Sequence, residues 1–369
     1  MQRSLHPAIV PEKNKKAGLC YAFAEDGLEL PVLDLGHPAF ALDASAQELS
    51  SLAAEAASSL KAQGRMPPFV QAAFARRMAR TSILAREMLA SYGGFMSGMG
   101  SYLCKLGPEA LGAGYASALD RRLSGSLPCL NTRLRLRETA RLLAEGLVEP
   151  LEGEPGRPLA LFNIAGGPAA DSLNALMSIR RLRPTLLEGR RLRIYVLDGD
   201  LAGPAFAAAS LKALLAEGGP LQGLEAALIH VAYDWNEAAP LGALLEAEAG
   251  SVVAASSEGG LLEYGSDEAI AANLRALAFS RNASFVGSLS RWEGGAGEFN
   301  KMESGSVRIR LRPAPEFGAL ASASGWSVAE TAECPLSAVL RLKPQRPNTM
   351  DGGALPLPYG KGSRSGKEA

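Results

Sequence analysis

The 369-residue sequence has few of the residues that usually mark metal or redox proteins. It contains four cysteines, and no two of them have the CxxC spacing typical of zinc or redox sites. It contains three histidines, which argues against a histidine-based metal site, although a carboxylate site stays open. We therefore expect no metal centre. Scattered single cysteines are typical of a reducing cytosol, so we expect a cytoplasmic protein.

Net charge and long apolar runs are also missing. The 38 basic and 38 acidic residues cancel, which argues against a protein organised around nucleic-acid phosphates, although the arginines of residues 133–137 could form a local basic patch. No run of about 18 apolar residues occurs, and no apolar segment follows the first positive charges. We therefore expect no signal peptide, no membrane span and no nucleic-acid partner.

The second half of the chain alternates between apolar runs and helical patterns. The apolar runs cover residues 159–162, 191–197, 226–232, 251–255 and 283–289, and helical patterns cover residues 169–182, 204–217, 238–248 and 267–280. This alternation predicts a parallel sheet with helices on both faces. Residues 327–333 and 337–343 are so close that they can pair only as an antiparallel hairpin. The predicted fold class is α/β, a doubly wound, mostly parallel sheet closed by a C-terminal hairpin.

The helical patterns in the first 150 residues predict a mainly helical cap domain. Helical patterns cover residues 46–63, 68–89, 108–122 and 132–145, and residues 28–35 could form a small hairpin. Ser45 and Glu48 have capping-box spacing, and Asp43 is a second cap candidate. The glycine- and methionine-rich residues 91–100 form either a loop at a helix crossing or a flexible lid over a ligand.

Turn-rich residues 149–158 predict a boundary between the cap domain, residues 1–150, and the sheet domain, residues 151–344. Near the end of the chain we expect an edge strand at residues 307–311 and a helix at 317–324 that ends at Gly325. Residues 345–369 lack periodicity and predict a disordered tail.

Polar residues follow four strands of the predicted sheet, and parallel strands present their carboxyl ends to one crevice. Glycines after the first strand let the backbone approach a ligand, and the helix that follows begins with unpaired N–H groups. A carboxylate after the second strand can accept both hydroxyls of a ribose. The four groups are Asn163, Ala165, Gly166, Gly167 and Asp171; Asp198, Gly199 and Asp200; Asp234 and Trp235; and Ser256 with Glu258.

Each of these features has a purely structural alternative. The glycine turn could be an ordinary tight turn, Asp198 and Asp234 could be helix caps, and Trp235 could be a core residue. The arginines of residues 133–137 could form a solvated helix face, or one could pair with a carboxylate of cofactor or substrate. The succession of such groups at neighbouring strand ends favours a nucleotide cofactor, for which Asp234 could accept from an adenine amine while Trp235 stacks on the ring.

Residues 158–344, with the closing hairpin, resemble the class I S-adenosylmethionine-dependent methyltransferases. The resemblance implies S-adenosylmethionine as cofactor, with residues 165–167 at its methionine part, Asp198 or Asp200 at the ribose and Asp234 with Trp235 at the adenine. This sequence differs from the family pattern in two ways. The family usually has an acidic residue at the position of Asn163 or Ala165, and its glycines are spaced, whereas Gly166 and Gly167 are adjacent here.

The resemblance implies methyl transfer to an acceptor held between cap and sheet. Neutral charge and the lid-like segment favour a small-molecule acceptor, with Tyr92, Glu258 and Tyr264 as candidate substrate residues; no catalytic residue can be assigned. One alternative is an NAD(P)-dependent oxidoreductase, whose GxGxxG fingerprint the glycine turn does not match. Another is a non-catalytic nucleotide-binding protein of the same fold. A helical cap is compatible with a homodimer.

Overall fold

The computed structural model describes residues 9–42, 44–90, 95–112, 116–280, 282–291 and 309–345. Six of the sequence predictions lie wholly or partly outside these residues. They are the cap candidate Asp43, the substrate candidate Tyr92, the first part of the glycine-rich segment, the middle of the helix at 108–122, the start of the edge strand at 307–311, and nearly all of the predicted tail.

The N-terminal part is a small hairpin followed by helices. The hairpin pairs β1 (Tyr21–Phe23) with β2 (Glu29–Pro31), so its first strand lies earlier than predicted. The helices are α1 (Ala46–Gly64), α2 (Pro68–Thr81), α3 (Ile83–Ala90), α4 (Gly98–Leu106), α5 (Ala118–Ser124) and α6 (Leu127–Gly153). The predicted capping box precedes α1, because Glu48 N donates to Ser45 Oγ at 3.2 Å and Ser45 N donates to Glu48 Oε2 at 2.7 Å.

The sheet has the predicted parallel centre and antiparallel closure. Its described strands are β3 (Leu159–Ile164), β4 (Arg191–Leu197), β5 (Glu225–Val231), β6 (Val252–Ser257), β7 (Ser284–Ser290), β8 (Trp326–Glu333) and β9 (Ser337–Pro344), in the order β5-β4-β3-β6-β7-β9-β8. Strands β3 to β7 are parallel, and β9 runs antiparallel to both β7 and β8. The strand order reverses between β3 and β6, where open α/β sheets bind ligands.

Helices cover both faces of this sheet. They are α7 (Ala170–Leu182), α8 (Ala202–Leu215), α9 (Ala239–Ala247), α10 (Leu261–Tyr264), α11 (Asp267–Ala278) and α12 (Ala314–Ala323). Alternate residues of β3 enter two different cores: Leu159 and Leu161 join the core that contains α6, α7 and α8, whereas Ala160 and Phe162 join the core that contains α9, α11 and α12. Buried cap residues such as Leu136 belong to the first of these cores.

Three predicted elements of the cap differ from the structure. The helix predicted at residues 68–89 breaks at Ser82, whose backbone is extended and whose Oγ donates to Asp120 Oδ1 at 2.6 Å. Within the predicted helix at residues 108–122, residues 108–112, 116 and 117 are not helical, and α5 begins at Ala118 after a capping box formed by Ser117 and Asp120. The last predicted cap helix is longer than expected and continues through Gly153.

Two features near the sheet also differ. Part of the predicted linker is helical, because Arg190 donates to the carbonyl oxygens of Leu151, Glu154 and Arg157 where α6 ends. The division of the chain at residue 150 stays a prediction. Residues 309–311 of the predicted edge strand are not in a sheet, because Arg310 N donates to Glu263 O at 2.7 Å. In the described part of the chain, no helix is both long and apolar enough to cross a membrane.

Candidate functional site

The turn after β3 has a strained backbone. Ala165 and Ala169 take positive φ angles of 54° and 50°, which cost an L side chain about 1–2 kcal/mol each. Between them, Gly167 also has a positive φ of 50°, and a Cβ on Gly166 would overlap Asn163 Oδ1. Strain of this kind persists where the surrounding structure fixes the backbone, and it clusters at functional sites. The turn lies at the point where the strand order reverses.

A buried polar cluster lies at the start of this turn. Asn163 is fully buried, and its Nδ2 donates to Asp171 Oδ1 at 2.6 Å and to Ser256 Oγ at 3.3 Å. Asn163 Oδ1 and Asp171 Oδ2 are buried without a hydrogen-bond partner. Burial raises the pKa of Asp171, and the nearby charge of Glu258 adds to this increase. The cluster is therefore buried directly beneath the turn, and it supports the turn from below.

Asp198 and Asp200 connect the turn to the end of β4. Asp198 Oδ2 accepts from Gly167 N at 2.8 Å, and its Oδ1 accepts from Asp200 N at 2.8 Å. Burial raises the pKa of Asp198. Asp200 accepts from Ala202 N at 3.2 Å and Gly203 N at 3.3 Å, so it caps the start of α8. The structure thus gives the capping role to Asp200 rather than to Asp198.

Asp234 and Trp235 lie at the end of β5, in exposed and half-buried positions. Asp234 does not cap α9, since that helix starts only at Ala239; its Oδ1 instead accepts from Asn236 N at 2.9 Å. The Trp235 ring makes an edge contact with Phe95, with 5.6 Å between ring centroids. The structural alternative of a helix cap is therefore wrong for Asp234, whereas Trp235 is half-buried and also packs against the second core.

Residues 95–98 of the cap enter the crevice between these strand ends. Phe95 contacts Trp235 and also Tyr264, with 4.9 Å between the Phe95 and Tyr264 ring centroids. Gly98 N donates to Asp200 Oδ2 at 3.2 Å. A Cβ on Gly167 would lie 2.8 Å from Gly98 Cα, so the two backbones are in van der Waals contact. The chain itself therefore fills part of the crevice.

A network of buried ion pairs lies directly after β6. Glu258 pairs with Lys105 of α4 and, through Oε1, with Arg135 Nε of α6 at 2.6 Å. Arg135 Nη1 also pairs with Glu263 at 2.8 Å. Burial acts to raise the pKa of Glu258, but the charges of Lys105 and Arg135 outweigh it and lower the pKa. Glu258 is thus ionised with both oxygens paired. Burial, with the charge of Glu263, raises the pKa of Tyr264 to about 12.

The prediction that the arginines of residues 133–137 form one solvated face is wrong at Arg135. Its side chain is 11% exposed, and its partners are carboxylates of the chain itself. The sequence contains a signal for this burial, because Arg135 stands between Leu134 and Leu136, both buried in the structure. Phe95 lies in the segment 91–100, which the sequence predicts to be a loop or a lid, whereas the sequence does not single out Lys105, which carries no comparable local signal.

Most of the predicted site residues meet at one edge of the sheet. Contacts join the turn, its buried cluster and the end of β4, and residues 95–98 bridge that group to the end of β5 and to the last residue of α10. Gly199 lies in the same loop as Asp198, and a Cβ there would meet only Tyr233 O, at 4.0 Å. These contacts place the residues together at one edge of the sheet, and Asp234 adjoins the group through its neighbour Trp235.

Comparison with known proteins supports the fold. No protein-family model and no curated protein sequence matches the chain. It is similar to a crystal structure from Bordetella parapertussis described as a possible exported protein, with a TM-score of 0.52, 17% identity, and coverage of 82% of this chain and 98% of that chain. At this identity the likeness shows a shared fold alone.

Two methyltransferases show weaker similarity. Magnesium protoporphyrin IX methyltransferase from Synechocystis PCC 6803, solved with bound SAH, has a TM-score of 0.39 and 14% identity, covering 63% of this chain and 89% of that chain. An O-methyltransferase family protein from Burkholderia thailandensis has a TM-score of 0.36 and 14% identity, covering 63% and 61%. The sheet order, with the antiparallel β9 between β7 and β8, agrees with the fold that the resemblance to the class I S-adenosylmethionine-dependent methyltransferases implies for β3 to β9.

Proposed function

We propose that the protein transfers a methyl group from S-adenosylmethionine to a small-molecule acceptor held between the cap and the sheet. The observation that carries the proposal is the crevice at the carboxyl ends of β3, β4 and β5. It combines a strained glycine turn with carboxylates that follow the two neighbouring strands. This is the place where doubly wound sheets bind nucleotides.

The groups around the crevice suit an adenosine-containing cofactor. A carboxylate has about four lone-pair sites, and Asp198 uses two of them for Gly167 N and Asp200 N, so it can still accept from ribose hydroxyls. Asp234 accepts through Oδ1, which leaves its exposed Oδ2 for an adenine amine.

The chain's own residues would bind, orient and shield the reactants. When bound, S-adenosylmethionine supplies an electrophilic methyl group, so the protein must chiefly align the acceptor and exclude water. Trp235 and Tyr264 supply apolar surface on either side of the crevice. We assign no proton acceptor, because both oxygens of Glu258 are paired and Tyr264 is a neutral phenol at pH 7.

The small-molecule acceptor is supported by the neutral overall charge and by the cap segment over the crevice. Nucleic-acid phosphates would be better matched by a basic face. The cytoplasmic location, the absence of membrane and nucleic-acid partners, and the homodimer stay predictions.

One observation favours a second candidate, a non-catalytic protein that kept the fold. Gly98 packs directly on Gly167, which is where the resemblance places the methionine part of the cofactor. A chain whose crevice is permanently filled would not bind the cofactor. The two candidates therefore differ in a property that calorimetry measures directly.

The experiment is titration calorimetry with S-adenosylmethionine, S-adenosylhomocysteine and NAD. We expect the first two to bind, and Asp234→Asn to weaken both by about tenfold to a hundredfold, because an amide nitrogen would replace an acceptor facing the adenine amine. Asp26→Asn is the matched control, since Asp26 Oδ1 accepts from Leu28 N at 3.1 Å in a similar turn. Binding of NAD alone would favour an oxidoreductase, and binding of none would favour the non-catalytic candidate.

A further inference from the structure

Residues 95–98 contact the ends of β3, β4 and β5 and the last residue of α10. Phe95 contacts the rings of Trp235, which follows β5, and of Tyr264, which ends α10. Gly98 bonds to Asp200 after β4 and touches the turn after β3. This short segment therefore occupies the same crevice that the proposed cofactor needs.

The contact between Gly98 and the turn leaves no space for a ligand. A Cβ placed on Gly98 would lie 3.1 Å from Gly167 Cα and 3.2 Å from Pro168 Cδ, which is already tighter than ordinary contact. A Cβ on Gly203 would likewise lie 2.8 Å from Gly167 Cα. A molecule that approaches the turn from this side must displace Gly98.

Residues 95–98 are held by fewer contacts than the second half of α4. Phe95 is 62% exposed although it touches two rings, Met96 packs against the first core, Ser97 Oγ donates to Glu87 Oε2 at 2.8 Å, and Gly98 N donates to Asp200 Oδ2 at 3.2 Å. In contrast, the second half of α4 is buried, with Tyr102 and Leu106 in the core, and Lys105 is paired with Glu258. Displacement can therefore be limited to residues 95–98 and the first turn of α4.

We propose that residues 95–98 are a removable plug, which occupies the cofactor crevice in the free protein and leaves when S-adenosylmethionine enters. This inference rests on the proposed function, because it assigns regulation to the same site. The free protein is then mostly in a state that cannot bind, and its apparent affinity is reduced by the fraction of molecules that are open.

Two substitutions should open the plug without changing the residues proposed to bind the cofactor. Gly98→Ala places a methyl group 3.0 Å from Asp200 Oδ2 and against the turn, at a backbone position that does not need glycine because its φ is not positive. Phe95→Ala removes both ring contacts. The matched controls are Gly242→Ala, at a helix position with nothing within 4 Å, and Phe279→Ala, whose side chain is 82% exposed.

The test combines two measurements. Amide hydrogen exchange of α4 in the ligand-free protein reports opening without any cofactor, and calorimetry with S-adenosylhomocysteine reports affinity. We expect both plug variants to exchange faster at the first turn of α4 and to bind about fivefold to a hundredfold more tightly than the wild type, from the loss of edge contacts and the larger open fraction. Both controls should match the wild type.

The outcomes separate the plug from the proposed function. Equal or weaker affinity in both plug variants, with binding by the wild type, overturns the plug, because the segment then does not compete with the cofactor. Failure of the wild type and of both plug variants to bind, even with faster exchange, overturns the proposed cofactor and with it this regulation. Faster exchange with tighter binding supports both.

Discussion

Replacing Glu258 by Gln tests whether the buried ion network stabilises the fold. Glu258 pairs with both cations of the network, Lys105 and Arg135, and Arg135 also pairs with Glu263, whose pKa is raised by burial. The substitution removes one negative charge but keeps the size of the side chain. Lys105 loses its carboxylate, and Arg135 keeps only Glu263.

The expected loss of stability is large because water is excluded from these groups. The Lys105 and Glu258 side chains are 6% and 3% exposed, so the uncompensated charge is poorly screened. Removing one partner of a buried pair costs about 3–5 kcal/mol, because the other charge remains in a medium of low polarity. We expect Glu258→Gln to lower the free energy of unfolding by that amount.

Urea unfolding at pH 7 measures this change. The slope of the free energy of unfolding against urea concentration should be the same in each protein, so that a shifted midpoint reports stability alone. Glu188→Gln is the control, because the 2.9 Å Arg180–Glu188 pair is exposed and should contribute about 0–1 kcal/mol. The double variant Lys105→Met with Glu258→Gln restores neutrality and should recover more than half of the loss. A double variant no more stable than Glu258→Gln would refute the charge-based reasoning.

Three further predictions concern other buried groups. Asp171→Asn keeps the oxygen that accepts from Asn163 and removes a buried carboxyl group. Because burial raises the pKa of that carboxyl group, the stability of the wild type should fall as the pH rises from the ordinary pKa of Asp through the raised pKa. Urea unfolding at pH 4 and pH 7 should show the Asn variant gaining on the order of 1–3 kcal/mol, chiefly at the higher pH. Arg190→Lys should lower the free energy of unfolding by about 2–4 kcal/mol in the same assay. A single ammonium group cannot donate at once to the carbonyl oxygens of Leu186, Glu154 and Leu151, as the guanidinium does. Burial raises the pKa of Cys334 to about 11, so mass spectrometry should find its alkylation at pH 8 on the order of 100-fold slower than that of a free thiol.

The sheet could be predicted because its signals are local. The apolar run at residues 191–197 coincides with β4, and the short connection between β8 and β9 allows only a hairpin. The placement of Asp198 beside Gly167 follows from parallel strands that share one edge. These inferences need only the period of the side chains and the direction of the strands.

The cap contacts could not be predicted in this way. Lys105 and Glu258 are 153 residues apart, and nothing in their local sequence relates them. The break at Ser82 depends on Asp120, which lies 38 residues further along the chain. The contact of Phe95 with Trp235 likewise depends on how the cap is placed over the sheet. Such pairs are determined by tertiary packing rather than by periodicity.

The meeting of Gly98, Gly167 and Gly203 has a consequence for how this sequence can change. Each glycine leaves room for the backbone of another, so the first substitution among the three must push two segments apart. Gly98→Ala and Gly203→Ala would each push against Gly167 Cα, so the two substitutions share one partner and their costs should not simply add. Gly167 itself takes a positive φ of 50°, so an alanine there is strained whatever space its neighbours leave, and it is the least replaceable of the three.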